Sequence, residues 1–185
     1  MPSRITLVSL LIVALIVIGL RLLHPSDIAQ LADKAFAPAG SDYFMRDATI
    51  YQMDAAGQLE YRMQLAEAVH HPNESANLTD IRVHYNTGPD SYWILQAAHG
   101  RIPPGDSRDL HLTGGVTLHQ PDPQGPIANV KTDNAWLRTQ TNLIETQAHV
   151  VAWGPGNRTE GDGMLLQLDD DRLKLYDNVE SSYTP

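Results

Sequence analysis

Cysteine is absent from the 185 residues, which excludes disulfides, thiolate metal sites, cysteine nucleophiles and a lipid-modified N-terminal cysteine together. It leaves the compartment open, because a cysteine-free chain folds in reducing and oxidising surroundings alike. Basic residues are scarce: 13 Lys+Arg stand against 22 Asp+Glu, a formal charge of −9. Nucleic acid needs a basic footprint, so none is expected as a partner. Catalytic signatures are missing as well: there is no G-x-S-x-G, no P-loop and no H-E-x-x-H. The 8 histidines show no ligand spacing beyond the adjacent pair His70-His71 ahead of Pro72. Asp169-Asp170-Asp171 offers oxygen ligands of the kind Ca²⁺ takes, but it stands where two strands need a turn. Glu67 and Glu145 are the only in-strand carboxylates suited to glycan hydrolysis, and nothing pairs them. No catalytic residue, metal or cofactor is expected.

What is present is distributed unevenly. Residues 5–20 carry no charge, and Leu22 and Leu23 extend the run past Arg21. As a helix the stretch from Ile5 to Leu23 spans about 28 Å, close to the thickness of a bilayer's hydrocarbon core. It exceeds the apolar core of a cleaved signal, and the nearest small-residue motif, Ala35-Phe36-Ala37, lies far downstream and precedes Pro38. We therefore expect a cytoplasmic tail (1–4), a retained transmembrane helix (5–23) and a linker (24–40). The short tail leaves the body outside the cytoplasm, in the periplasm of a bacterium. Pro25 ends the membrane helix. Ile28, Leu31, Ala32 and Ala35 then fall at helical spacing. That pattern fits a short amphipathic helix on the membrane surface or, equally, an Ala-rich linker.

From Ser41 the period changes to two. Tyr61, Met63 and Leu65 alternate with polar neighbours, as do Ile81, Val83 and Tyr85, then Trp93, Leu95 and Ala97, then Met164, Leu166 and Leu168. Turn signals separate these sets, among them Ala56-Gly57, His71-Pro72-Asn73, Thr87-Gly88 and Gly154-Pro155-Gly156. Short strands at such spacing predict an all-β body over 41–185.

Two segments invite a closer test. A two-residue hairpin turn at Gly114-Gly115 would set Leu112 opposite Thr117, apolar against polar. Read as one strand, Leu110, Leu112, Val116 and Leu118 share a face. Likewise Leu173, Leu175, Val179 and Tyr183 stay in phase across Asp177-Asn178. Both segments are predicted to be long strands bent at a turn-prone pair, which curves a sheet around an interior. Such units recur every 30–35 residues or so, the range of stacked repeats. A stack exposes unpaired backbone at each end.

The run Val130-Lys-Thr-Asp-Asn-Ala-Trp, then Leu143 through Val151-Ala-Trp-Gly154, then Leu173-x-Leu175-Tyr176-Asp-Asn-Val179-x-Ser-Ser-Tyr183, behind a single anchor helix, resembles the LptC family. That family is the single-pass inner-membrane component of the lipopolysaccharide export bridge. The resemblance covers nearly the whole chain and rests on strand patterns and length. It implies a non-enzymatic lipid-transfer protein built as an open β-jellyroll, shaped like a taco, of long bent antiparallel strands. Lipopolysaccharide would arrive from the ATP-binding-cassette transporter LptF/LptG with its ATPase and leave to the periplasmic bridge protein LptA of the same fold.

The implied groove consists of Ile50, Met63, Leu65, Leu78, Ile81, Val83, Trp93, Leu95, Leu112, Val116, Leu118, Leu143, Val150, Leu166, Leu168 and Leu175. Alternation alone reports burial and suits a self-packed core equally well. The resemblance also implies a transporter-side edge at Tyr43, Asp47, Thr49 and Tyr51, within a first strand over about Tyr43–Met53. It implies a bridge-side edge at Gly154, Leu173, Leu175, Tyr176, Val179 and Tyr183, although Gly154 reads equally as a plain turn glycine. Charge does not fit easily. Setting aside Asp27, Asp33, Arg4, Arg21 and Lys34, which precede Pro38, 20 acidic and 10 basic residues remain, net −10, against a phosphorylated ligand. The head group either projects into water and divalent cations or meets Arg62, Arg82 and Arg138. The other class in view is a membrane-anchored periplasmic β-domain enzyme or glycan-binding module.

Overall fold

The computed structural model describes residues 38–88, 91–105, 109–121 and 128–183. The predicted membrane helix and all of the linker before Pro38 lie outside these residues. Among the described residues no helix is long and apolar enough to cross a membrane. Gly40–Pro185 forms one compact unit.

That unit is a single antiparallel sheet whose spatial order follows the chain from first strand to last. The strands are β1 (Tyr43–Met53), β2 (Leu59–His70), β3 (Ala76–Asn86), β4 (Tyr92–Ile102), β5 (Leu110–His119), β6 (Asn129–Arg138), β7 (Leu143–Gly154), β8 (Asn157–Gln167) and β9 (Arg172–Tyr183). The expected class, an open all-β sheet of long bent strands, is present. Leu110–His119 runs as one strand, not a hairpin. Asp169-Asp170-Asp171 lies in the β8–β9 turn.

A sheet of this length cannot stay flat with one greasy face. It bends along a line that crosses the strands near their midpoints. There the register breaks, at Thr113/Val116 between β5 and β6, Thr132/Trp136 between β6 and β7, Thr146/His149 between β7 and β8, and Glu160/Asp162 between β8 and β9. Left-handed backbone marks the same line: Asp47 (φ 49°), Asp80 (φ 51°), Gly114 (φ 81°), Gly115 (φ 88°), Gly163 (φ 74°) and Asn178 (φ 51°). Gly and Asn/Asp are the residues that enter this region at least cost. The two bends expected at Gly114-Gly115 and at Asp177-Asn178 are thus two points on a crease that traverses the sheet.

The crease divides every strand into halves that face each other. One rim carries the β1–β2, β3–β4, β5–β6 and β7–β8 turns; the other carries the β2–β3, β4–β5, β6–β7 and β8–β9 turns. Extra residues at the crease also reset which side chains point inward. Buried pairs straddle it three apart on β2 (Leu65, Ala68), β3 (Leu78, Ile81), β6 (Thr132, Ala135) and β8 (Gly161, Met164). On β5 both glycines are spent on the bend, so Leu112 and Val116 stay in phase. The inward residues of the two halves merge into one apolar cluster running from Met63 to Leu168.

Gly114 and Gly115 separate two costs of the crease. A Cβ on Gly114 would lie 2.8 Å from the Ala98 Cβ, whereas one on Gly115 would meet nothing within 4 Å. Gly115→Ala should cost about 1 kcal/mol from backbone strain alone. Gly114→Ala, which adds the contact, should cost clearly more, about 2–3 kcal/mol. Urea unfolding of the two variants checks the order; equal losses would contradict it.

Candidate functional site

Met63, Leu65, Leu78, Ile81, Val83, Trp93, Leu95, Leu112, Val116, Leu118, Val150, Leu166 and Leu168 all lie on the inner face at 8% exposure or less. Leu173 and Leu175 are half-buried and pack against the same cluster from β9. One expected position needs correction, and another lies uncovered. Leu143 points to the outer face: it pairs with Arg138 and Gln167, while its neighbour Ile144 is fully buried opposite Leu137 and Leu166. Ile50 pairs with the inward Met63, yet it is 38% exposed because no strand lies beyond β1 to cover it.

Residues that the alternation did not single out complete the inner face: Ala68, Val130, Ala135, Leu137, Ile144 and Ala152 among them. For Ala68 and Ala135 the missing signal is the phase reset at the crease. For Ile144 it is the apolar outer neighbour Leu143, which made either parity plausible. The interior is filled by its own side chains. Tyr61, Val83, Tyr85, Trp93 and Leu95 from one half and Leu137, Asn142, Ile144 and Leu168 from the other enclose a cavity of about 20 Å³. That is roughly the room one water needs.

None of the three expected arginines faces this interior unpaired. Arg62 and Arg82 are exposed on the outer face, alternating with Met63 and Val83. Together with partial burial they lower the pKa of His84, burial being the larger cause and Arg62 the next. Arg138 is held by Asp109 (2.9 Å) and Glu145. The buried threonines inside are satisfied: Thr132 Oγ1 donates to the His149 carbonyl (2.9 Å), and Thr146 Oγ1 accepts from the Ala148 amide (3.0 Å). Among the described residues no group of three or more acidic or histidine side chains is arranged to hold a metal ion.

The edges differ from the interior. β1 and β9 each have a single neighbour, so the sheet does not close into a barrel. Among the described residues the large apolar side chains that remain exposed are Tyr43, Met45, Ile50, Tyr51 and Met53 on β1, Leu59 at the start of β2, and Tyr176, Val179 and Tyr183 on β9. Apart from Leu59, they all lie on the two terminal strands. Neither strand contains proline and each is long, so two of the usual devices that blunt an edge are missing, although β9 carries Lys174 and Glu180. Tyr43, Asp47, Thr49 and Tyr51 are on β1, and Leu173, Leu175, Tyr176, Val179 and Tyr183 are on β9, as expected. Gly154 is not on the edge. It ends β7, pairs with Asn157 across the β7–β8 turn and lies two strands in from β9.

The described residues thus define an open, bent antiparallel sheet with an apolar inner face and two terminal strands that each have a single neighbour. The LptC family, described as lipopolysaccharide-assembly, LptC-related, matches residues 9–184, and the chain belongs to it. Its members are inner-membrane-anchored periplasmic components of lipopolysaccharide transport. Among curated proteins none matches the chain. Among solved structures the chain is similar to LptH, the LptA homologous periplasmic component of the lipopolysaccharide transport device from Pseudomonas aeruginosa. The identity is 11% and the TM-score 0.42, with 80% of this chain and 100% of the other covered.

One side chain beside the cavity has a pH consequence. Burial, the hydrogen bond it donates to Asp169 and the charges of Asp169 and Glu60 hold the Tyr85 phenol well above its ordinary value of 10.0. The folded form keeps this proton when the unfolded chain would lose it. The resulting stability is complete below pH ~10 and is lost as pH rises beyond it. Urea midpoints measured from pH 8 to 11 should fall above pH ~10. In Tyr85→Phe, less stable at neutral pH by about 1 kcal/mol, that fall should be shallower. An identical alkaline slope in both proteins would remove Tyr85 as its source.

Proposed function

We propose that this chain receives lipopolysaccharide from the inner-membrane transporter LptF/LptG, holds its acyl chains between the two halves of the bent sheet, and passes it to the bridge protein LptA. The observation that carries the reading is that, among the described residues, the large exposed apolar side chains are confined to β1, β9 and the adjoining Leu59. Edge strands with free backbone groups join a partner's sheet through main-chain hydrogen bonds, and side chains on alternate positions choose the partner. Both edges are also bent, at Asp47 and at Asn178, where φ is positive. A straight strand cannot follow such an edge along both halves; a strand from a sheet with the same crease can. That favours partners of like fold and makes the inner face continuous from one protein to the next.

Acyl chains suit the inner face through area alone, about 0.8 kcal/mol for each methylene taken from water. Since the interior is filled by its own side chains, loading means parting the halves so that methylenes replace Leu–Leu and Leu–Val contacts of similar worth. The exchange is close to neutral, which suits a carrier that must release what it holds. The anionic head group stays outside with water and divalent cations, because among the described residues the inner face presents no unpaired arginine.

A photo-crosslinker at Leu78 or Val116 should capture lipopolysaccharide in cells, and one at the outward His84 should not. The reverse pattern would defeat the assignment of the inner face. For the edges, Val179→Lys with Tyr183→Lys should weaken co-purification of LptA at least tenfold and leave the transporter bound. Tyr43→Lys with Tyr51→Lys should do the opposite. Loss of both partners in either variant, with unchanged circular dichroism, would argue against separate docking edges.

A further inference from the structure

We propose that the acidic β8–β9 turn, Asp169 to Asp171, is a latch that holds the two rims of the bent sheet together and must release before the interior opens. The proposal deepens the lipid-carrier reading and rests on it for what enters; the closing of the rims is a separate matter. The turn belongs by its backbone to one rim, where the Leu168 amide donates to the Asn142 carbonyl (3.0 Å) of the β6–β7 turn. Its side chains reach the opposite rim. Asp169 Oδ1 accepts from the Tyr85 hydroxyl at 2.7 Å. Asp171 Oδ1 accepts from the Trp93 indole N–H at 2.6 Å, and its Oδ2 from the Gln120 amide at 3.0 Å. Asn142 joins the same bridge, donating to Asp169 (3.2 Å) and to Glu60 across the gap (3.4 Å).

Three features make this a latch and not ordinary turn chemistry. First, the donors are large side chains at the ends of β3 and β4 and just beyond β5, so two aspartates tie down three neighbouring elements of the far rim. Tyr85, Trp93 and Gln120 are all buried, and their polar tips have these carboxylates as partners. With the rims apart, water would serve the same donors equally well, so the bonds favour closure without making it permanent. Second, the cavity of the interior lies directly beneath, walled by Val83 and Leu95 on one side and Ile144 and Leu168 on the other. A gap in the packing therefore lies where the latch closes over it. Third, Asp171 and Asn142 take the left-handed backbone of a tight turn, φ 51° and 53°, which fixes the direction in which their side chains leave the rim.

The test uses the full-length chain in phospholipid nanodiscs. Because the protein has no cysteine, Thr87→Cys and Thr141→Cys place one spin label on each rim and nowhere else. With Asp169→Ala and Asp171→Ala the inter-label distances should broaden and shift longer. With Asp170→Ala, whose carboxylate takes no part in the bridge, they should match the parent. An unchanged distribution in the double variant, or the same opening in Asp170→Ala, overturns the latch. In a second arm Glu60→Cys and Asn142→Cys, facing groups in the bridge, are joined by a short reducible bis-thiol linker. Photo-capture of lipopolysaccharide at Val116 should drop at least tenfold while the linker is intact and recover on reduction. Undiminished capture through a linked rim would also overturn it. Failure of capture in the parent protein would count against the lipid-carrier reading alone, since the spin labels judge the latch without lipid.

Discussion

A sheet with one apolar face and no second sheet or helix to lay over it has a single way to escape water, which is to bend until that face meets itself. The crease is the device that permits this. Every strand must turn at the same height, and left-handed residues there suit the bend: glycine at Gly114 and Gly163, where a side chain would collide, and aspartate or asparagine at Asp47, Asp80 and Asn178. The burial of Leu112, Val116, Ile144 and Val150, all fully covered, follows from the bend and from nothing else in the chain. So do the facing rims and the ends left without a neighbour.

Much of the fold was legible in the sequence because period-two alternation is strong wherever one face is buried. The hairpin alternative at Gly114-Gly115 failed on a simple pairing test, and the strand over Tyr43–Met53 stands where it was expected. The inner face was less legible, for a physical reason. On β2 and β6 the crease adds one residue and flips the parity, so Ala68 and Ala135 face inward although strict alternation carried across the bend sends them out. At Leu143-Ile144, two adjacent apolar residues gave no local ground for preferring one over the other. Only the cross-strand partners Leu137 and Leu166 decide for Ile144.

The edges were read through family likeness more than through pattern. Exposed tyrosines and valines at alternate positions look, in one dimension, like any half-buried strand. What distinguishes β1 and β9 is the missing neighbour, a property of the assembled sheet. The acidic turn shows the same gap between sequence and space. Asp169-Asp170-Asp171 was correctly read as a turn, but nothing local indicates that Tyr85, Trp93 and Gln120, far away in the chain, deliver their donors to it.

The order of the strands in space is the order of their synthesis, and each pairs only with the strands before and after it. A hairpin added or deleted anywhere would therefore leave all other pairings intact, provided its strands bent at the common height. Span, for this architecture, is an adjustable quantity: the distance bridged grows by whole hairpins, each bringing its own portion of floor and lip.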